Sequence, residues 1–305
     1  MPALPEGVRR DHALARLTTI RTGGHAEYFA RPGNIAELEA VLGWAGGEGI
    51  EVGVVGSGSN LLIADEGVRG LVLKLDRYLS HIEQDGSHLD CGGGARLPAV
   101  SAYAARAGLS GIEFGVNIPG TVGGAVRMNA NAYGGELART LEWVEVVGAG
   151  GTTRRVPAEL GFAYRRSSLV AGEVVARARF ALTADEPERV RATLADLRAR
   201  RREAQPSGIK TFGSTFKNPT DPRAEGRSAG MLLDAAGCRG LSIGGAGISD
   251  KHANFVVNDG EATTAEVIEV IAEARRRVLE RFGVALEPEV QTMGPIAFPE
   301  EWGSP

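Results

Sequence analysis

Three short stretches carry side chains fit for polar chemistry. GFAYRRSSL (161–169) sets Tyr164 and Arg165 between apolar neighbours, and GSTFKNP (213–219) gathers Ser214, Lys217 and Asn218 in one loop. LEPEV (286–290) spaces Glu287 and Glu289 two apart, so that in a strand they share one face with Pro288 on the other. An arginine in such a setting can hold a carboxylate through two parallel hydrogen bonds, although a solvent-facing arginine is the commoner case. No Gly-x-Ser-x-Gly elbow surrounds Ser214, which argues against a hydrolase nucleophile. Two readings of Ser214 remain, a proton donor held against a developing carbanion or a turn serine. The two glutamates are either a carboxylate relay or strand-edge acids. The five histidines, His12, His25, His81, His88 and His252, show no metal-ligand spacing, and no metal is expected.

Two glycine-rich loops suggest a ligand. VVGSGSNLLI (54–63) offers Gly56, Ser57, Gly58, Ser59 and Asn60. Phosphates are bound by converging backbone N–H groups, and glycine lets the backbone approach. No Gly-Lys-Ser/Thr follows, and Leu61 stands where a dinucleotide fingerprint has its third glycine. Taken alone, the stretch is a plain turn or an anion cradle. GVNIPGTVGGAVRMNANAYGGE (115–136) is a second such loop, with Gly115, Pro119, Gly120, Thr121, Gly123 and Gly124. Two donor-rich loops suit a ligand with two phosphates or an extended dinucleotide. They are also what a chain with 43 glycines in 305 residues provides for ordinary turns.

The elements that position these residues follow from periodicity. Asn34 and Glu37 cap a helix carrying Ile35, Leu38, Leu42 and Ala45, and strands are expected at Glu51–Val55, at LLIAD and at Leu71–Leu75. Residues 1–75 thus read as a small α/β unit. Residues 76–187 hold hairpins about Asp85-Gly86 and about Gly148–Gly151, a helix from Pro98 to Gly108 and a strand over Glu173–Thr183. Residues 188–305 form a third block, entered through a helix that begins at Pro187 and buries Val190, Leu194 and Leu197. Its basic run, Arg198, Arg200, Arg201 and Arg202, reads as a solvated face at a helix C-terminus rather than a phosphate patch. AGMLLDAAG is a short helix and ANFVVNDG a strand. Thr263 and Glu266 cap a last helix whose stripe is Val267, Ile271, Ala274, Val278 and Phe282.

Net charge is −4, which does not mark a nucleic-acid or membrane-surface binder. Cys91 and Cys238 fit neither a disulfide framework nor a zinc site, so a reduced, cytoplasmic setting is expected. No run of about 18 apolar residues suggests a membrane span.

In order, TIRTGGHAEYFARP, VVGSGSNLLIAD, IPGTVGGAVRMNANAYGGE, FAYRRSSL, GSTFKNP, AGMLLDAAGCRG, GGAGISDKHANFVVN and FGVALEPEV resemble the UDP-N-acetylenolpyruvylglucosamine reductase family in its compact type. They span nearly the whole chain. The resemblance implies an α+β fold: an FAD-binding module of two α/β subdomains (1–75 and 76–187), of the vanillyl-alcohol oxidase (PCMH-like) kind, then a C-terminal α/β substrate domain (188–305). It implies that NADPH reduces FAD, which passes hydride to UDP-N-acetylglucosamine enolpyruvate to give UDP-N-acetylmuramate for peptidoglycan synthesis. No nucleic-acid, membrane or protein partner is implied.

By the same resemblance, Gly56, Ser57, Gly58, Ser59, Asn60, Pro119, Gly120, Thr121, Gly123, Gly124 and Asn131 hold FAD. Arg165 binds the enolpyruvyl carboxylate, Ser214 gives the proton, and Glu289 works with Arg165. Tyr133, Lys217 and Asn218 approach the nucleotide-sugar. Ser57, Asn131 and Ala163 depart from the glycines usual in the family, and asparagine tolerates a left-handed backbone better than most residues. Two alternatives stand beside this reading: a flavin oxidase of another substrate, which would have no reason to assemble Arg165, Ser214 and Glu289 as one site, and a non-catalytic nucleotide-sugar or flavin-binding protein.

Overall fold

The computed structural model describes residues 4–296, 298–299 and 302. The chain divides into two compact units. Unit 1 comprises the chain up to Arg10, Tyr28–Ser57 and Gly70–Arg201; unit 2 comprises Asp11–Glu27, Gly58–Arg69 and the chain from Arg202 onward. Segments of the first 75 residues are therefore shared between the two.

In unit 1, α1 (Ile35–Gly47) starts where Asn34 Oδ1 accepts the Glu37 N–H at 2.9 Å. The Glu37 carboxylate reaches back to Gly33 N–H and Asn34 Nδ2, each at 2.7 Å, so the cap closes one residue earlier than the sequence suggests. Leu38, Val41, Leu42 and Ala45 form its buried stripe. A five-stranded antiparallel sheet runs in the order Gly151–Arg155, Leu141–Gly148, Val174–Ala181, His88–Gly92, Ile82–Asp85. Adjacent residues of its second strand go to opposite faces: Val146 joins the cluster of α2 (Leu97–Arg106) and α3 (Val122–Arg127), and Val147 joins that of α1. A sheet covered on both faces carries apolar residues on both, as VVARARFA (174–181) does. A further sheet has the order Val8–Ala13, His25–Ala30, Val68–Leu73, Val52–Val54, and the unit bounds fall within its first three strands. The helix from Pro187 is α4 (Pro187–Ala204), with Val190, Leu194 and Leu197 buried as expected. Arg198, Arg200 and Arg202 are exposed, but Arg201 corrects the solvated-face expectation: it turns inward and donates to the Asn117 carbonyl, and burial lowers its pKa.

Unit 2 is built on α6 (Thr264–Phe282), which follows the short α5 (Ala229–Ala235). The capping box is present: Thr263 Oγ1 accepts from Glu266 N–H at 3.2 Å, and Glu266 Oε2 accepts from Thr263 N–H at 2.9 Å. Gly283, at φ 67, ends the helix. Val267, Val270, Ile271, Ala274 and Val278 are fully buried, with Phe282 half-buried at the edge. They join Phe212, Phe216, Leu232, Leu233 and Val256 in one core beside the sheet Ser242–Ile243, Ala246–Ile248, Val256–Asn258. Gln291–Met293 pairs in parallel with Leu61–Ile63. Among the described residues no helix is long and apolar enough to cross a membrane. Cys91 and Cys238 are both free and buried, and burial pushes the Cys91 thiol up to about 12.

Candidate active site

In unit 1, the two glycine loops meet. The Gly56 carbonyl accepts a hydrogen bond from Lys74 Nζ. A Cβ at Gly56 would lie 2.5 Å from Thr121 Oγ1, so the first glycine is demanded by the approach of the second loop. That second loop is pinned along its length. Leu97 N–H donates to the Gly120 carbonyl at 3.0 Å, Val122 N–H to Ala95 at 2.8 Å and Gly123 N–H to Gly93 at 2.7 Å. Thr121 Oγ1 accepts Gly124 N–H at 3.4 Å and caps α3. Three N–H groups of the loop are thus engaged within the protein, which makes IPGTVGG a rigid wall beside Gly56. Lys74 was not singled out by sequence, where it reads as the tail of an apolar strand. Burial first, then Arg31 and Arg96, lower its pKa against the opposing pull of Asp76. Three cations and one carboxylate around a glycine cradle fit the diphosphate of FAD.

Arg165 occupies a two-residue turn. Ala163 and Arg166 exchange N–H···O=C bonds of 3.0 and 3.1 Å, leaving Tyr164 and Arg165 at the tip. Arg165 has φ 58, a conformation that type II turns ask of glycine or asparagine. Its Nη1 donates to the Asn131 carbonyl at 3.3 Å, and its guanidinium lies 5.3 Å from the Tyr164 ring centroid. The turn is tied down by Asn129 Nδ2, which donates to the Ala163 carbonyl at 3.3 Å and to Glu136 at 2.8 Å. Asn129 Oδ1 is buried with no hydrogen-bond partner among the described residues. None of the three departures from family glycines stands at a left-handed backbone. Asn131 lies in the short strand Asn131–Ala132, and the left-handed non-glycine residues of that loop are Asn129 (φ 40) and Tyr133 (φ 51). Neither Ser57 nor Ala163 has a positive φ.

In unit 2, Gly58 (φ 62) presses on the chain: a Cβ there would lie 2.1 Å from the Leu17 carbonyl oxygen. Ser59 is half-buried. Asn60 Nδ2 donates to the Glu289 carbonyl at 3.1 Å, and Asn60 O accepts Gln291 N–H at 3.1 Å. A residue assigned to the cofactor thus holds the acid segment in place. That segment runs antiparallel beside GSTFK. Glu289 N–H donates to Thr215 O at 2.8 Å, Lys217 N–H donates to Glu287 O at 2.9 Å, and Phe216 bridges Pro288. Glu287 is exposed, Pro288 buried and Glu289 half-buried, the alternation that the spacing implied. Lys217 Nζ lies 3.6 Å from Glu287 Oε2, and Asn218 Oδ1 accepts Ala229 N–H at 3.1 Å at the start of α5.

The other edge of GSTFK is held by Asn254. Its side chain takes both polar groups of Phe216, Phe216 N–H to Oδ1 and Nδ2 to the carbonyl, each at 2.9 Å, and its carbonyl accepts Thr215 N–H at 2.9 Å. Ser214 is therefore half-buried on a strand-like segment fixed from two sides, with Glu289 bonded to the next residue. Asn254 and His252 lie in the HANF stretch, where the sequence shows a strand but no chemical role. Among the described residues no group of three or more His, Cys, Asp or Glu is placed to hold a metal.

These features define a flavin-binding oxidoreductase. Residues 26–157 match the family model for an FAD binding domain, and residues 205–293 match that for the C-terminal domain of UDP-N-acetylenolpyruvoylglucosamine reductase. The chain is 44% identical to the UDP-N-acetylenolpyruvoylglucosamine reductase of Agathobacter rectalis, over 95% of this chain and 96% of the relative. It is 43% identical to that of Acidiphilium cryptum, over 96% and 94%. The crystal structure of UDP-N-acetylenolpyruvylglucosamine reductase from Thermus caldophilus superposes with a TM-score of 0.82 at 38% identity, covering 94% of this chain and 99% of that one. The chain belongs to the UDP-N-acetylenolpyruvoylglucosamine reductase family. Its fold is an FAD-binding module followed by the family's C-terminal domain.

Proposed function

We propose that Arg165, Ser214 and Glu289 carry the chemistry of this reductase. The chain reduces UDP-N-acetylglucosamine enolpyruvate to UDP-N-acetylmuramate in peptidoglycan precursor synthesis, with FAD as cofactor and NADPH as hydride donor. The observation that best supports the roles is the fixing of the Ser214 segment between Asn254 and the Glu287–Glu289 backbone. When bound, FAD relays hydride from NADPH to the β-carbon of the enolpyruvyl group. Adding hydride there breaks the C=C π bond and leaves an enolate whose charge runs into the carboxylate. Arg165, a cation fixed on a closed turn, binds that carboxylate and stabilises the charge as it develops. Ser214 Oγ–H gives its proton to the α-carbon, and the serine is reprotonated from solvent. Glu289 acts with Arg165 to hold the enol form.

Gly56, Ser57, Gly58 and Ser59, with the IPGTVGG wall, hold the FAD diphosphate and flank the flavin, Asn60 acting through Glu289. Tyr133, Lys217 and Asn218 are the nucleotide-sugar contacts of the proposal. For the domain plan, 1–75 and 76–187 are proposed as the two halves of the FAD module and 188–305 as the substrate domain.

Ser214→Ala tests the central role. Flavin reduction by NADPH is expected at close to the normal rate, and reoxidation by the enolpyruvyl substrate is expected to fall by about 100-fold or more. Equal loss in both half-reactions would remove Ser214 from the chemistry.

A further inference from the structure

The ring of His252 is half-buried against α5 and against Phe255. A Cβ on Gly230 would lie 2.9 Å from His252 Cε1, and the Phe255 ring centroid is 4.8 Å away. His252 Nδ1 stands 3.2 Å from the Asn254 backbone nitrogen and accepts its N–H. The neutral ring that makes this bond carries its proton on Nε2. Asn254 in turn grips the Phe216 backbone with both amide atoms and takes Thr215 N–H on its carbonyl. Asn254 is 5% exposed, so no water replaces these bonds cheaply. A continuous set of hydrogen bonds therefore runs from an imidazole nitrogen to the peptide units adjoining Ser214.

We propose that His252 is a positioning residue for proton transfer from Ser214: by accepting the Asn254 N–H it orients Asn254, which fixes Thr215 and Phe216 and so aims the Ser214 hydroxyl. The inference rests on Ser214 being the proton donor. It differs from simple packing because protonation abolishes it, the imidazolium having no acceptor nitrogen. Burial and then Arg239 lower the His252 pKa, while a hydrogen bond to its own backbone and then Asp234 of α5 pull the other way. The ring is thus neutral at physiological pH, and the relay opens only as pH falls below the ordinary histidine range.

A side chain accepting from the N–H two residues on has the geometry of an Asx turn, so asparagine at 252 reproduces the bond without the titration. The test compares His252→Leu, His252→Asn and Ser214→Ala as FAD-loaded full chains. Flavin reduction by NADPH is timed separately from reoxidation by UDP-N-acetylglucosamine enolpyruvate, across pH. Amide hydrogen exchange over 214–217 is followed in the same proteins without substrate. His252→Leu should slow reoxidation about 10- to 100-fold, leave reduction by NADPH unchanged and speed exchange at Thr215 and Phe216. The natural chain should lose reoxidation rate at acid pH, and His252→Asn should restore most of the rate, slow exchange and lack that acid loss. The inference falls if asparagine is no better than leucine, if the acid limb survives in His252→Asn, or if both half-reactions slow together. If Ser214→Ala reoxidises at the natural rate, the proton-donor assignment itself is wrong. If Ser214→Ala is slow and His252→Leu is not, only the role of His252 is wrong. Should the leucine variant fail to fold, the pH profile of His252→Asn still decides.

Discussion

Arg165 holds a left-handed backbone at a cost of roughly 1–3 kcal/mol, in a turn where glycine would sit without strain. The surrounding bonds from Ala163, Arg166 and Asn129 impose that conformation and project the guanidinium. Its place just after Phe162-Ala163-Tyr164 made Arg165 visible in the sequence, as the isolated loop GSTFKNP did for Ser214. Lys74 and Asn254 were not visible, because each acts on backbone groups distant in sequence, and no local pattern encodes such a bond; His252 bonds only two residues on, and its importance comes from what Asn254 holds. Lys74 gives a test at this scale. Lys74→Met should weaken FAD binding to the apoprotein about tenfold, flatten its dependence on salt and leave riboflavin binding unchanged. Fluorescence titration with the two flavins measures this, and equal weakening of both would mean that Lys74 supports the loop rather than the diphosphate.

The helices were legible wherever caps and a stripe coincide. Asn34 with Glu37 and Thr263 with Glu266 mark two starts, and Gly283 marks an end. Hairpins were legible from their turns, with Ile82–Asp85 and His88–Gly92 on either side of Gly86. The acid segment was legible only in its alternation. Pro288 has no N–H to extend a ladder, so Leu286–Val290 pairs through a single bridge and the bonds of its neighbours. Its partner, more than sixty residues earlier in the chain, cannot be read from local spacing. Arg275 was missed for the same kind of reason: it is buried on α6, donates from Nε to the Leu286 carbonyl at 2.9 Å and lies 4.9 Å from the Trp302 ring centroid. The α6 cap supports a prediction about stability. Thr263→Ala removes the acceptor for Glu266 N–H and should cost about 1 kcal/mol in urea unfolding, with FAD content unchanged. No change in the urea midpoint would mean that the packing of α6, not its cap, sets where the helix begins.

At the scale of the whole molecule, carboxylates are held charged across both units. Arg179 lowers Asp85, Arg155 lowers Glu173, Arg223 lowers Asp221 and Arg239 lowers Asp234. Backbone N–H bonding at Thr263 lowers Glu266. Glu273, bonded by Arg276 and then Arg277, is brought to about 2. For each of these groups the folded state binds its proton less readily than the unfolded chain. Their stabilisation is therefore complete above the unfolded carboxylate range and is lost as pH falls toward the folded values. His252 adds in the same direction at higher pH, since its lowered pKa makes the unfolded chain the better proton acceptor just below the ordinary histidine value. Most of the ion pairs are solvent-exposed, so each contributes little alone and salt screens them. The urea midpoint should accordingly fall gently from neutral pH and then steeply between about pH 4.5 and pH 2, with the steep part reduced in 1 M salt. Glu273→Gln should remove a measurable part of the steep limb below pH 4, where Glu273 still carries charge in the folded chain. A midpoint that is flat across the acid range, or a steep limb insensitive to salt, would show that these pairs are not what acid removes.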